Sequence, residues 1–198
     1  VQTHVQGRTG RDNLAAVVSR GDVLHFSGHG TPGAIIGCTK DGKSEELTSA
    51  LIRHSVTCPP KVAVLNCCRG SSDPGNGTDS VTRALLRVGV PCVLAMQGDI
   101  EDGAAATFAR ELYGALARGG DLEVALQDAR RALFEPQGEP TPGGTKQAPV
   151  TARMASDWFL PVLWTTADSS FVLVATRAQP QPSGGSPETS TWFAGVLR

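Results

Sequence analysis

The stretch KVAVLNCCRG at residues 61–70 and the stretch DVLHFSGHG at residues 22–30 have the same design. Each begins with an apolar run of strand length and ends in small residues around one reactive side chain, Cys68 in the first stretch and His29 in the second. Such runs are typical of strands that are buried on both faces of a parallel sheet. Ligands bind beyond the carboxyl ends of these strands. If the two strands are neighbours, His29 and Cys68 meet at one edge of the sheet, where a thiol nucleophile and its imidazole partner can act together.

The length and charge of the chain favour a single domain without nucleic-acid or membrane contacts. The chain has 198 residues, which suffice for one sizeable core but not for two. Its formal net charge of −1 at pH 7 gives no sign of a nucleic-acid-binding surface. No apolar run reaches membrane-spanning length, and the polar N-terminus predicts no signal peptide. We therefore expect a cytoplasmic protein that itself binds neither nucleic acid nor membrane.

The cysteines favour a reducing compartment. Their number is odd, and two of them are adjacent, a geometry in which disulfides rarely form. No Cys-x-x-Cys spacing occurs, so a structural zinc site is not expected. We predict that the protein uses no metal and no cofactor. The five cysteines are Cys38, Cys58, Cys67, Cys68 and Cys92.

Strand and helix signals alternate along the chain. An Asp-Gly pair at residues 41–42 predicts a hairpin turn after the strand at 34–38. The alternation predicts a three-layer α/β architecture with a mostly parallel central sheet, helices on both faces and a hairpin insertion. Predicted strands span residues 23–27, 34–38, 62–66, 90–96, 158–164 and 171–175. Predicted helices span residues 11–19, 49–52, 80–88, 104–118 and 122–133.

The composition changes near residue 177. We assign residues 1–177 to the domain, with a flexible start at 1–10, and residues 178–198 to a linker rich in Pro, Ser and Gly that ends in an apolar tail. A second Pro/Gly-rich loop spans residues 136–149. Arg153 and Arg177 lie beside these two segments, which makes the segments candidate sites of self-cleavage.

Four motifs follow one another in the order that they have in the CHAT domain, the caspase-like protease domain of the caspase and separase group. They are HFSGHG at 25–30, VLNCCRG at 64–70, AMQ at 95–97 with Asp102 ahead of a helix, and Trp158 followed by PVL at 161–163. The chain resembles this family from about residue 8 to residue 175. The resemblance implies a caspase-like sandwich and a cysteine endopeptidase. The chain departs from the family at Cys67, where a small residue is usual. The family's first strand is also not found before residue 8, so we expect a domain that is trimmed or is completed by another chain.

The resemblance implies that Cys68 is the nucleophile and His29 the general base. The N–H groups of Gly30 and Cys68 would stabilise the oxyanion of the tetrahedral intermediate. No third catalytic residue is assigned, and His25 is a weaker candidate for the base. Strand alternation points Cys67 away from Cys68, which favours a structural role for Cys67, although an exchange of roles between the two cysteines is the alternative.

Asp99 and Asp102 are candidates for substrate binding. They lie in the turn after the strand at 90–96, where separase-like relatives place an acidic pocket residue. A carboxylate there would bind a basic side chain, so we predict cleavage after Arg or Lys. Asn66 stands where some relatives have a further acidic residue, which removes one source of this preference. For Asp102 the alternative is stabilisation of a helix N-terminus.

Hypotheses of different functional classes follow. The first is a cysteine endopeptidase that cleaves a protein substrate and is controlled by a regulatory partner, a repeat domain or its own linker. Its cleavage would activate a defence or cell-death effector, a target that rests on family analogy alone. The second is a catalytically silent scaffold with a caspase-like fold, against which the presence of both His29 and Cys68 argues. A third and weaker hypothesis is a flavodoxin-like or nucleotide-binding α/β domain.

Overall fold

The computed structural model describes residues 9–19, 21–75, 77–134 and 157–166. Within these ranges short strands and helices alternate. The strands are β1 (Val23–Ser27), β2 (Gly30–Thr31), β3 (Ala34–Cys38), β4 (Ser44–Thr48), β5 (Val62–Asn66), β6 (Cys92–Met96) and β7 (Pro161–Thr165). The helices are α1 (Leu14–Val18), α2 (Ser49–Ser55), α3 (Val81–Arg87), α4 (Asp102–Ala117) and α5 (Leu122–Phe134).

The central sheet has the strand order β1-β5-β6-β7. Strands β1, β5 and β6 are parallel neighbours, and β7 is antiparallel to β6. The register places Ser27 opposite Asn66 and Leu65 opposite Ala95. Strands β5 and β6 are buried along their whole length, because both of their faces are covered. The carboxyl ends of the three parallel strands therefore lie side by side at one edge of the sheet.

Alternate side chains of the sheet face two separate cores. On one face Val64 packs with helices α4 and α5, around the fully buried Phe108. On the other face Leu65 packs with helices α1, α2 and α3, around side chains such as Ile52. Each large apolar side chain that is fully buried in this way stabilises the fold by about 1.5–3 kcal/mol. The arrangement confirms the predicted three-layer α/β sandwich, with a mostly parallel central sheet and helices on both faces.

Three helices begin at side-chain caps. The hydroxyl oxygens of Thr48 and Ser80 accept hydrogen bonds from the backbone N–H three residues further on, at 3.3 and 3.2 Å. The carboxylate of Asp121 accepts the equivalent bond at 2.8 Å. The caps satisfy N–H groups that have no partner inside their own helix. Ser80 is thus the cap of α3.

Strands β2, β3 and β4 form a separate antiparallel sheet, which is the predicted hairpin insertion. Gly42 closes its turn with φ of 82°, as the Asp-Gly pair predicts. Strands β2 and β4 were not predicted, because β2 has only two residues and β4 is mostly exposed and polar. Strand β2 matters for the site, since it begins at Gly30, directly after His29.

Some predicted boundaries are wrong, for local reasons. Strand β6 begins two residues late because Pro91 has no N–H for the ladder. Strand β7 begins at Pro161 and not at Trp158, since residues 157–160 form a turn in which the Leu160 N–H donates to the carbonyl of Asp157 at 3.0 Å. Helix α1 is shorter than predicted, and α4 begins two residues earlier. The predicted strand at 171–175 and the segment 178–198 lie outside the described residues.

Two glycine patterns match the spacing of phosphate-binding loops, which bears on the nucleotide-binding hypothesis. Residues 28–33 read GHGTPG, and residues 37–44 read GCTKDGKS. A phosphate-binding loop must lead from a strand into a helix N-terminus, whose N–H groups hold the anion. Here the first pattern leads into β3 and the second forms the β3–β4 turn. Neither pattern has the context of a phosphate-binding loop.

Candidate active site

The chain reverses sharply at the end of β5, and this turn presents Cys68. Cys67 is 1% exposed and packs into the core on the α1–α3 side, whereas the half-buried Cys68 packs against the opposite core. Arg69 has φ of 54°, a left-handed conformation that costs a non-glycine residue about 1 kcal/mol. The alternation predicted for the two cysteines is therefore the observed one.

The two neighbouring thiols differ in chemical environment. Burial, and to a lesser degree the negative charge of Cys68, raises the pKa of Cys67 to about 12. The thiol of Cys67 is thus fully protonated at neutral pH. The thiol of Cys68 donates a hydrogen bond to the carbonyl of Ile100 at 3.7 Å, so it faces the edge of the sheet where the β6–α4 turn lies.

Backbone contacts join the turn after Cys68 to the turn after β6. The Arg69 N–H donates to the carbonyl of Gly98 at 3.0 Å. The N–H and the hydroxyl of Ser71 both donate to the carbonyl of Met96, each at 3.1 Å. These bonds place Asp99 and its neighbours beside the residues that follow Cys68.

The backbone of Gly30 brings the His29 segment against Cys68. A Cβ atom on Gly30 would lie 2.3 Å from the carbonyl oxygen of Cys68 and 3.0 Å from the sulfur of Cys67. Only a glycine can approach the backbone so closely. His29 precedes this contact and is exposed, so the structure brings His29 and Cys68 to the same edge of the sheet. Within the described residues the thiol bonds to the Ile100 carbonyl and not to the imidazole of His29.

The two N–H groups predicted to form an oxyanion hole lie at this contact. The Ile36 N–H donates to the carbonyl of His29 at 2.9 Å, and Gly30 pairs with Ile35. In an antiparallel ladder this pattern makes Gly30 and Ile35 a non-hydrogen-bonded pair, so the Gly30 N–H points away from β3. The Cys68 N–H donates to no carbonyl of the described residues.

Asp99 and Asp102 occupy different positions at the same edge. The carboxylate of Asp99 accepts two hydrogen bonds from the guanidinium of Arg69, at 2.7 and 2.8 Å, and these bonds lower the pKa of Asp99. Asp102 is the first residue of α4 and is exposed, where an acidic side chain complements the helix dipole. The hydrogen bonds to Asp99, and then the charge of Asp99, raise the pKa of Arg69. Arg69 was missed as a residue of the site, although its place next to Cys68 in the sequence was a signal.

A buried polar pair lies beneath the edge of the sheet. The Nδ1 atom of His25 bonds to the hydroxyl of Tyr113 at 2.7 Å, and burial lowers the pKa of His25 to about 4. On the same side of the sheet the buried amide of Asn66 donates to the carbonyl of Ala105 at 2.9 Å. His25, in the middle of β1, and Asn66, at the end of β5, thus connect these strands to α4. The chain's only tyrosine was the missed signal for this pairing.

The buried His25 predicts a loss of stability in acid. Above pH 6.5 its imidazole is neutral in both the folded and the unfolded chain, and below that pH only the unfolded chain binds the proton, because the folded pKa is about 4. The free energy of unfolding should therefore fall with a slope that approaches about 1.4 kcal/mol per pH unit, or by about 2 kcal/mol in total between pH 6.5 and 4.5. Urea unfolding of the wild-type protein and of His25→Gln at both pH values measures this term. A decrease of the same size in both proteins contradicts the assignment, and His54→Gln, at an exposed position, is the control.

Among the residues that the structure describes, no group of three or more His, Cys, Asp or Glu side chains is placed to hold a metal ion. No helix in the described ranges is both long and apolar enough to cross a membrane.

Comparison with known proteins gives one family. The family model of the CHAT domain matches residues 2–180, which is most of the chain. No curated protein matches the sequence. The family is caspase-like, and its function is related to proteolysis. The sequence motifs, the three-layer sandwich and the family model agree, and the chain belongs to the CHAT domain family.

Proposed function

We propose that this protein is a cysteine endopeptidase with Cys68 as its nucleophile and His29 as its general base. The observation that carries the proposal is the contact between Gly30 and the Cys68 carbonyl, which holds the residue after His29 against the nucleophile's own backbone, two residues beyond the end of β5. A thiol and an imidazole at one edge of a parallel sheet, beside a pair of N–H groups, supply what acyl transfer requires.

In the proposed reaction His29 accepts the thiol proton, and the Cys68 thiolate attacks the carbonyl carbon of the scissile peptide. The N–H groups of Gly30 and Cys68 stabilise the oxyanion that forms. His29 then donates its proton to the departing amine, which leaves a thioester on Cys68. A water molecule, deprotonated by His29, hydrolyses the thioester and restores the thiol. Before the first step the thiol must turn from the Ile100 carbonyl to His29, as catalytic hydrogen bonds often tighten only when substrate binds.

Asp99 and Asp102 are proposed to select a substrate with Arg or Lys before the scissile bond. Their support is the position of Asp99 in the β6–α4 turn, which the Arg69 N–H ties to the turn after Cys68, and that of Asp102 at the start of α4. We expect Asp99→Ala to lower kcat/KM for a P1-Arg peptide by about 10-fold to 100-fold, because an ionic bidentate pair is lost. Asp102→Ala tests the alternative of helix stabilisation and should then change only the free energy of unfolding. Steady-state kinetics with matched P1-Arg and P1-Leu peptides measure kcat/KM for each variant. If the ratio of kcat/KM for the Arg peptide to that for the Leu peptide is unchanged in both variants, the proposal of an acidic pocket is wrong.

The biological setting is proposed from the family alone. The substrate is a protein, and a regulatory partner, a repeat domain or the chain's own linker controls the cleavage, with a defence or cell-death effector as the target. The protease domain is assigned to residues 1–177, in a cytoplasmic protein. The two Pro-rich segments beside Arg153 and Arg177, which lie outside the described residues, are the candidate sites of self-cleavage.

A mixed-sequence peptide library tests the proposal. The protein is incubated with the library, with and without a peptide acyl-type thiol probe, and the cut sites and the labelled cysteine are identified by mass spectrometry. Cuts after Arg or Lys that stop when the probe labels Cys68 support the proposal in full. If the cuts occur after other residues and also stop when the probe labels Cys68, the protein is a cysteine endopeptidase without a preference for Arg or Lys. An absence of both cuts and Cys68 labelling supports the silent scaffold.

A further inference from the structure

The carboxylate that we assign to substrate recognition is already bound by a side chain of the protein itself. Asp99 accepts from Nε and Nη2 of Arg69 at 2.7 and 2.8 Å, the two parallel bonds of a bidentate pair. A substrate arginine would use the same nitrogen atoms on the same two oxygen atoms. Arg69 and the substrate therefore cannot both form this pair with Asp99.

The backbone holds Arg69 in place for this contact. Its left-handed φ of 54° and the bond from its N–H to the Gly98 carbonyl fix the start of the side chain one residue after Cys68. The side chains of Arg69 and Asp99 are 49% and 62% exposed, so water can replace either partner. Exposed ion pairs are weak and open readily. The contact is thus well placed but easy to displace.

We infer that Arg69 is an internal competitor that occupies the arginine-binding carboxylate until a basic substrate residue displaces it. This inference rests on the proposed function, because it takes Asp99 as the P1-binding group. An internal competitor lowers the apparent affinity of every ligand of Asp99 by the same factor. It therefore weakens peptides with P1 Arg and P1 Lys equally, and it leaves peptides with a neutral P1 residue unaffected.

Binding in a Cys68→Ala background tests Arg69 without cleavage. Fluorescence anisotropy measures the Kd of a labelled peptide with a single P1 Arg and of the same peptide with P1 norleucine. Arg69→Ala should lower the Kd of the Arg peptide about twofold to fivefold, the range expected for losing one exposed ion pair. The Kd of the norleucine peptide should not change. Arg69→Gly, which also removes the backbone strain, should give the same result and guards against misfolding of the alanine variant.

Two further variants complete the test. Arg83→Ala breaks an exposed pair with Asp73 that lies outside the proposed site, and it should change neither Kd. In Asp99→Ala, a further Arg69→Ala change should give no gain, because the carboxylate for which Arg69 competes is absent. An Arg-peptide Kd that stays the same or rises in both Arg69 variants, or a gain shared by the norleucine peptide, overturns the inference.

The failure of this inference is distinguishable from failure of the proposed function. Cleavage of the same Arg peptide by the protein with Cys68 intact reports on the endopeptidase, and the binding series reports on Arg69. If Arg69→Ala instead lowers kcat equally for Arg and norleucine peptides, Arg69 positions the turn after Cys68 and does not compete with substrate, which also overturns the inference.

Discussion

Replacement of Cys68 by alanine is expected to lower kcat/KM for peptide cleavage by at least about three orders of magnitude, since the proposed acyl intermediate forms on its thiol. The adjacent Cys67→Ala is expected to stay within a few-fold of the wild-type protein. Its thiol is buried on the opposite face, and its pKa of about 12 leaves only about 10⁻⁵ of it as thiolate at pH 7. Each substitution removes one sulfur atom, and the two residues are adjacent. Each variant is therefore the matched control of the other.

Stability must be separated from chemistry in this comparison. Cys67→Ala removes a buried sulfur that packs near Gly30 and Gly70, and we expect it to lower the free energy of unfolding by about 1 kcal/mol. Cys68→Ala should change stability less, because Cys68 is only half-buried. Steady-state kinetics, together with urea unfolding of both variants, make the separation. Loss of activity in Cys67→Ala with full activity in Cys68→Ala would show that the roles of the two cysteines had been exchanged.

The sequence predicts those parts of the fold that burial alone determines. The runs VAVLN and CVLAM are apolar on both faces, and a strand of this kind is stable only between two layers of helices, so β5 and β6 were predictable as the centre of the sheet. The opposite directions of Cys67 and Cys68 follow from the same pleat. Trp158 and Phe159 misled the prediction of β7, because both are large apolar residues that the structure leaves exposed in a turn.

Contacts between distant residues were not predictable in the same way. The ion pair between Arg69 and Asp99 depends on the left-handed backbone of Arg69 in one loop. It also depends on the position of that loop relative to a second loop, 30 positions further on. The bond between His25 and Tyr113 spans 88 positions and depends on how α4 lies on the sheet. Neither contact has a periodic signal, because each involves one residue from each element. The sequence thus predicted which residues reach the edge of the sheet, but not which of them bond to one another.

Gly30→Ala is expected to reduce kcat/KM by about 100-fold while the protein stays folded. The new Cβ would lie 2.3 Å from the Cys68 carbonyl oxygen, so β2 must move away from the end of β5. The clash involves backbone atoms, and rotation of a side chain cannot relieve it. A displacement of about 1 Å at a catalytic group can cost a factor of about 100 in rate. Strain of this kind costs about 1–3 kcal/mol of stability, which a folded domain can tolerate.

The matched control is Gly114→Ala, inside α4. The nearest atom to a Cβ there is the end of the flexible Arg118 side chain, at 3.4 Å, and alanine favours a helix over glycine by about 1 kcal/mol. This variant should be fully active and slightly more stable. Circular dichroism first identifies a temperature at which both variants are folded. At that temperature, kcat/KM and the rate at which the acyl-type probe labels Cys68 are measured for each variant. Because the probe needs both the thiol and its base, slow labelling in a folded Gly30→Ala protein would locate the defect in the placement of His29. A folded Gly30→Ala protein with activity within threefold of wild type would mean that this contact does not position His29, and the dyad would then lose its strongest structural support.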